Sequence, residues 1–298
     1  MALKDIIISS FPQYCEKLQS GKQVSFRPII VLEEKSLLLA KQSKDKITIL
    51  KTLTDIMSSC FNEKTILSYS ICDFEQAFLL LRSKSLGEIE SFNITCPETN
   101  ESVDITINLS TDISVNKNKI NNKIKLQDNL ILVMSIPTIG TLLKYPNYKD
   151  DNETIYQFIA SCVKQIVTQK EVIDCSDKSQ KELIEFIQNL TPKQFNKIIE
   201  YFDSLPAVYI VSSYTTSDLV KRSITIKGIF NLINFFFSHL SLDLYYIQNF
   251  QMKYYHHYTL NEIENMIPWE RSIYLEQIRN HLQEETDRLN NSTEMNFQ

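Results

Sequence analysis

The sequence predicts an α+β fold, mainly helical, in which two small antiparallel hairpin or meander sheets pack on helices and the C-terminal part is helical. Three observations carry that reading. Apolar residues recur at steps of three and four through most of the chain. In two short blocks, around residues 92–109 and 208–226, the period drops to two. The 298 residues hold only four glycines (Gly21, Gly87, Gly140, Gly228), too far apart to assemble a Gly-rich phosphate cradle, a dinucleotide fingerprint or a nucleophile elbow.

The elements follow in order. Pro28 biases Arg27 away from helix, so Phe26–Ile30 reads as extended, and Leu32–Ala40 then turns to helix formers. Ile47, Leu50, Leu53, Met57 and Cys60 mark a longer helix. Asp73 with Gln76 reads as a capping signature ahead of the stripe Phe74, Phe78 and Leu81, and Gly87 ends that helix. Phe92, Ile94 and Cys96 alternate with polar residues, as do Val103, Ile105, Ile107 and Leu109. With Pro97–Glu101 between them they make a hairpin. Asn116–Asn122 reads as a solvated connection, Leu130–Met134 as a third strand of the same sheet, and Pro137 as the opening of a short helix.

Tyr145–Asp151 looks like a linker. The clearest helix follows it, with Ile155, Phe158, Ile159, Cys162, Val163 and Ile166 on one face. Leu183, Phe186, Ile187 and Leu190 mark another. Thr191-Pro192 caps a third, carrying Phe195, Ile198, Ile199 and Phe202. Val208–Val211 and Ser223–Ile226 form a second hairpin, followed by Gly228 and an apolar helix. The order helix, hairpin, helix thus occurs twice, as an internal duplication would give. Thr259 to Glu262 is a capping box, and Pro268-Trp269 starts a last helix with Leu275, Ile278, Leu282 and Leu289 on one side and Glu284/Arg288 paired on the other. From Asn290 the chain is polar and expected to fray. The expected units are 1–145 (helices and a small sheet), 146–235 (helices and the second hairpin) and 236–298 (an aromatic-rich helical module).

A formal net charge of −5 disfavours nucleic-acid binding, whose affinity comes from a basic face. The most apolar stretch, Ile229–Phe237, is broken by Asn231 and Asn234, so a buried helix is expected and no membrane span. Six cysteines lack zinc or redox spacing, and Ile6–Ile8 is too short for a signal-peptide core. Reduced, mostly buried thiols in a cytoplasmic protein are therefore expected.

Chemical candidates are few. His239, His256 and His257 with Glu262 or Glu264 match no ligand signature; a metal-dependent hydrolase on these histidines is the rival class. Glu33-Glu34 and Asp150-Asp151 read as solvated surface. Cys96 lacks a basic partner nearby in sequence and reads as a structural thiol. The tyrosines of 245–258 suit a core or a protein interface better than base stacking, because Lys253 is the only basic side chain among them. No catalytic residue, cofactor or metal is expected.

Two stretches, Ser238–Tyr246 and Tyr258–Tyr274 with its Pro268-Trp269-Glu270-Arg271 block, resemble the C-terminal signature of baseplate hub proteins of T-even-type contractile-tailed phages. Phe26-Arg27-Pro28 with Glu33-Glu34-Lys35 and Leu37–Ala40 resembles that family's opening. Asp73-Phe74-Glu75 with Leu80–Ser85 resembles its central block. Family members can carry paired cysteines around their hairpins; here Cys96 stands alone and Val208–Ser213 has none, so no knuckle-type zinc is expected. The resemblance implies a non-enzymatic hub subunit in the virion tail baseplate, or an assembly chaperone in the host cytoplasm. Its partners would be other hub or tail proteins, with self-association left open. Trp269, Glu270, Arg271, Ile273, Tyr274, Leu275, Ile278 and Leu282 are the expected partner-binding residues.

Overall fold

Helix caps and strand alternation set the local structure, and two separate hydrophobic cores collect it. The computed structural model describes residues 11–116, 120–238 and 240–295; for Asn152 and residues 289–295 it describes the backbone alone. The expected duplication of helix, hairpin and helix does not hold, because three strands follow the first hairpin before the next helix. The predicted class stands. The antiparallel sheets, however, number four among the described residues, two more than the alternation alone suggests.

Strands β1 (Tyr14–Lys17) and β2 (Gln23–Phe26) form a first hairpin, a sheet absent from the expectation. Helices α1 (Val31–Gln42), α2 (Lys46–Cys60) and α3 (Ile71–Leu86) follow. The caps explain where they begin. Glu33 reaches back to accept from the Ile30 N–H at 2.9 Å, and Asp45 accepts from the Thr48 N–H at 2.9 Å. The Asp73 expectation is corrected: the cap is Ser70, whose Oγ accepts from the Asp73 N–H at 3.0 Å, so α3 starts earlier. Gln76 instead accepts from the Gln19 N–H at 2.7 Å, tying α3 to the β1–β2 turn. Gly87, at φ 122°, ends α3.

Strands β3 (Ile89–Thr95) and β4 (Ser102–Asn108) form the expected hairpin, with Phe92 opposite Ile105. Strand β5 (Ile113–Val115) leaves this hairpin and pairs with β10 (Val208–Thr215), itself paired with β11 (Lys221–Lys227). The two hairpins are tied near their tips. The Ser217 N–H donates to Glu101 Oε2 at 2.9 Å, and Arg222 Nε to Glu98 Oε2 at 2.8 Å. Of the polar run 116–122, residues 117–119 lie outside the described residues.

The middle of the chain departs most from expectation. Strand β7 (Leu130–Met134) does not extend the β3–β4 sheet. It lies in a separate sheet ordered β6-β7-β8-β9, with β6 at Lys123–Gln127, β8 at Val163–Thr168 and β9 at Val172–Asp174. The long helix expected over Ile155–Ile166 stops at Cys162: α5 is Asn152–Cys162, and Val163 opens β8. Leu132 pairs with Ile166 across the β7–β8 ladder. The β-branched Val163, Ile166, Val167 and Thr168 suit a strand once β7 offers an edge. Ahead of α5, α4 (Ile139–Lys144) is capped by Thr138 rather than Pro137. Tyr145–Asp151 is a run of turns whose Tyr148 ring stacks on Phe158 at 3.9 Å. Helices α6 (Gln180–Gln188) and α7 (Pro192–Ser204) close this part, the latter with the Thr191 N–H donating to Gln194 Oε1 at 2.8 Å.

The main core joins α1–α4, the two hairpins, and the apolar helix α8 (Ile229–Phe236) around Phe26, Leu50, Phe74, Leu79 and Phe236. The second core lies within 124–205, around Leu132, Phe158, Ile187 and Ile198. Glu33 and Glu34 are not solvated surface. Glu33 pairs with Arg27 at 2.6 Å, and Glu34 is buried against Arg271 at 2.8 Å.

Candidate functional site

Beyond α8 three helices carry the residues that the sequence points to for binding: α9 (Leu242–His256), α10 (Leu260–Glu264) and α11 (Pro268–Met295). Ser241 caps α9, accepting from the Leu244 N–H at 3.1 Å, and His257, in the left-handed region at φ 60°, ends it. Thr259 and Glu262 form the predicted capping box of α10: the Thr259 N–H donates to Glu262 Oε2 at 2.8 Å, and the Glu262 N–H to Thr259 Oγ1 at 3.2 Å.

Each long helix has two unlike sides. On α9, Leu242, Tyr245, Asn249 and Met252 face inward and are buried. Outward stand Ile247, Phe250 and Tyr254, at i, i+3 and i+7, more than half exposed at 54%, 58% and 64%. The Phe250 and Tyr254 rings stack at 5.3 Å. Side chains of this size so exposed on one face are unusual for a surface without a partner.

The inward sides are anchored by polar groups. Arg271 donates to Glu34 at 2.8 Å, with both side chains almost fully buried. Lys35 Nζ and the Tyr245 hydroxyl both donate to Glu264 Oε1, at 3.0 and 2.9 Å. Burial raises the Glu264 carboxyl, but these two donors more than offset it and hold the group below the usual range. Burial and the adjoining Glu264 push the Tyr245 hydroxyl upward. A backbone bond from the Val31 N–H to Met266 O at 2.9 Å completes the attachment to α1.

The eight residues expected to bind a partner therefore divide. Arg271 and Leu275 are buried within this chain, and Ile278 is half-buried against the main core. Glu270 is half-exposed, while Trp269, Ile273, Tyr274 and Leu282 stand out at the surface. From Arg279 to Arg288 every side chain of α11 is exposed, and the helix continues to Met295 rather than fraying at Asn290. Ile247 and Phe250 are the residues that reading for tyrosines alone misses. Their spacing with Tyr254 is legible in the sequence as a second apolar row opposite the Tyr245–Met252 row.

The rival chemistry is not assembled among the described residues. His239 lies outside them. His257 ends α9, Glu262 caps α10 and Glu264 holds Lys35. Among the described residues no three His, Cys, Asp or Glu side chains are grouped to hold a metal, and no helix is long and apolar enough to cross a membrane. Five of the six thiols are buried and Cys15 is exposed. Cys96 sits sealed between the hairpins, where the Tyr214 hydroxyl donates to its Sγ at 3.6 Å. Hydrogen bonding from Thr99 brings this thiol down to about 7 against the effect of burial.

Searches of curated proteins and of solved structures returned no match. The family model described as "T4 bacteriophage base plate protein" matches residues 12–236, which takes in the second core and most of the main core and stops where α8 ends, just short of the aromatic helices. That span is well over half of the chain, which belongs to the T4 bacteriophage base plate protein family.

Proposed function

We infer that this chain is a non-enzymatic structural subunit of the baseplate hub, working through protein–protein contacts with other hub or tail proteins. The outward sides of α9 and α11 are the docking surface in this reading. The observation that carries it is the row Ile247, Phe250 and Tyr254, left exposed on a helix whose other side is fixed by buried polar contacts. A rigid base with large exposed apolar anchors suits recognition, since ordering entropy is already lost before the partner arrives. Trp269, Ile273, Tyr274 and Leu282, with Glu270 at the rim, supply the same on α11. Arg271, Leu275 and Ile278 serve by holding that helix in place.

Mass spectrometry of purified virions beside infected-cell lysate tests the role. A few copies per tail are expected. Abundance in lysate with absence from virions would replace the subunit with an assembly chaperone. Trp269→Ala combined with Ile273→Asp and Phe250→Ser tests the surface, because all three side chains are exposed and folding is expected to survive. Loss of incorporation is expected, as truncating an interface anchor costs about 2 kcal/mol or more. Normal incorporation of this variant would remove α9 and α11 from the interface.

A further inference from the structure

Helix α9 turns a row of four residues to the outside, Asp243, Ile247, Phe250 and Tyr254, spaced by four, three and four. The spacing is the same read from either end. Two such rows laid antiparallel, about a two-fold axis level with the Gln248–Asn249 bond, therefore match residue for residue. Ile247 of each copy meets Phe250 of the other, and Asp243 of each meets Tyr254 of the other. Every apolar side chain then has an apolar neighbour, and the Tyr254 hydroxyl has a carboxylate to donate to. A parallel copy in register sets Asp243 on Asp243 instead.

Charge supplies an independent observation. Asp243, in the first turn, is the only carboxylate of α9, and Lys253, in the last turn, is its only lysine. Both side chains are exposed, and neither enters an ion pair among the described residues. Antiparallel pairing brings Lys253 of each copy within reach of Asp243 of the other, and it also opposes the two helix dipoles. The surface is large enough for such a contact. Leu244, Tyr246 and Tyr255 flank the row and are exposed with it. At 36–64% exposure, these three with Ile247, Phe250 and Tyr254 leave roughly 600 Å² uncovered on one helix. Two copies bring about 1,200 Å², where stable interfaces begin, whereas the largest patch on a monomer is about 300–600 Å².

We propose that the outer side of α9 is a two-fold interface with a second copy of this chain, the two helices antiparallel, with Ile247 and Phe250 at its centre and Asp243–Lys253 contacts at both ends. The proposal rests on the reading of α9 as a docking surface and gives that surface its occupant, leaving Trp269, Ile273 and Tyr274 of α11 to other hub or tail proteins.

Sedimentation equilibrium of the purified full-length chain reads the mass directly. A concentration-dependent rise from the monomer mass to twice that mass, and no further, is expected. A mass that stays at the monomer's up to about 100 μM overturns the proposal, and a trimer or larger ring overturns the two-fold pairing. Ile247→Asp with Phe250→Asp is expected to leave only monomer, with far-UV dichroism unchanged because both side chains are exposed; a dimer that persists in this variant overturns the site. Charge reversal then tests the direction of the helices. Asp243→Lys alone sets lysine against lysine and Lys253→Asp alone sets aspartate against aspartate, so each is expected to weaken the dimer about tenfold. A single reversal that leaves the affinity unchanged overturns the antiparallel arrangement. Mixing the two variants is expected to restore the wild-type affinity, which misfolded chains could not do, and failure to restore it overturns the Asp243–Lys253 contacts. Virion incorporation separates the pairing from the subunit role. A chain that pairs but is absent from virions overturns the subunit role alone, and one that is incorporated while monomeric overturns the pairing alone.

Discussion

The two cores are built from the chain in opposite ways. The second core draws all its buried residues from 124–134 and 158–205, two neighbouring stretches separated by α4, which packs in the main core. The main core joins residues 18–142 to residues 208–275, and its Arg271–Glu34 ion pair spans 237 positions. The chain crosses between them near Asn116 and Ala207, where the Asn116 N–H donates to Ala207 O at 3.1 Å. The second core can close from near neighbours, whereas the main core closes only when the chain returns, after the larger loop-closure entropy has been met. It follows that single substitutions should separate the two.

The largest effect is expected from Arg271→Ala, which breaks the buried ion pair with Glu34 and removes about 3–5 kcal/mol from the main core in denaturant unfolding. The pair Glu34→Leu with Arg271→Met should recover most of that loss, and failure to recover it would mean that the charges do more than satisfy each other. Next, Phe158→Ala should cost about 3 kcal/mol through the cavity left beneath Tyr148 and Phe202. Amide exchange should then speed up across 123–134 and 152–205 while α3 stays protected. Equal loss of protection in α3 would show that the cores unfold as one unit.

A third substitution probes the junction. Glu75 on α3 is buried, and burial pushes its carboxyl up to about 7, although the Val208 and Ile229 backbone N–H groups and Lys149 pull the other way. The folded state therefore keeps this proton to higher pH than the unfolded chain, whose group titrates near 4.5. Stability from this residue is greatest below about pH 4.5 and falls by about 3 kcal/mol as the pH rises through 7. Glu75→Gln should flatten that part of the stability profile, and an unchanged slope would place the titration elsewhere. The smallest effect is expected at α10, where Thr259→Ala removes the capping oxygen and costs about 1 kcal/mol, read as a small fall in unfolding midpoint.

The main core was the more legible of the two in the sequence. Leu50, Leu53 and Met57, the Phe74–Leu81 stripe and the Phe92–Ile105 hairpin all follow from spacing, because one face of each element meets the core and the other meets water. Strand β6 went unread, although Ile124 and Leu126 alternate with polar residues, because five residues are too short a run to stand out. The β8 segment was not legible either, since Val163 and Ile166 satisfy a helical period and a strand alike. The same ambiguity touched the site. A row of apolar side chains on α11 does not say which way it faces, and Leu275 went inward while Ile273 went outward.

By itself the sequence determined the α+β class, the β3–β4 and β10–β11 hairpins, the Thr191 and Thr259 caps and the absence of a glycine-built nucleotide cradle, since these depend on residues within a few positions of one another. Tertiary structure decided the rest: the division into two cores, the conversion of the end of a helical pattern into β8, and the burial of Glu34 beneath α11. The reason is that strand pairing and the burial of charge both depend on a partner distant in sequence. Local spacing limits which residues can meet, and only the folded chain brings Arg271 to Glu34 or Val163 to Met134.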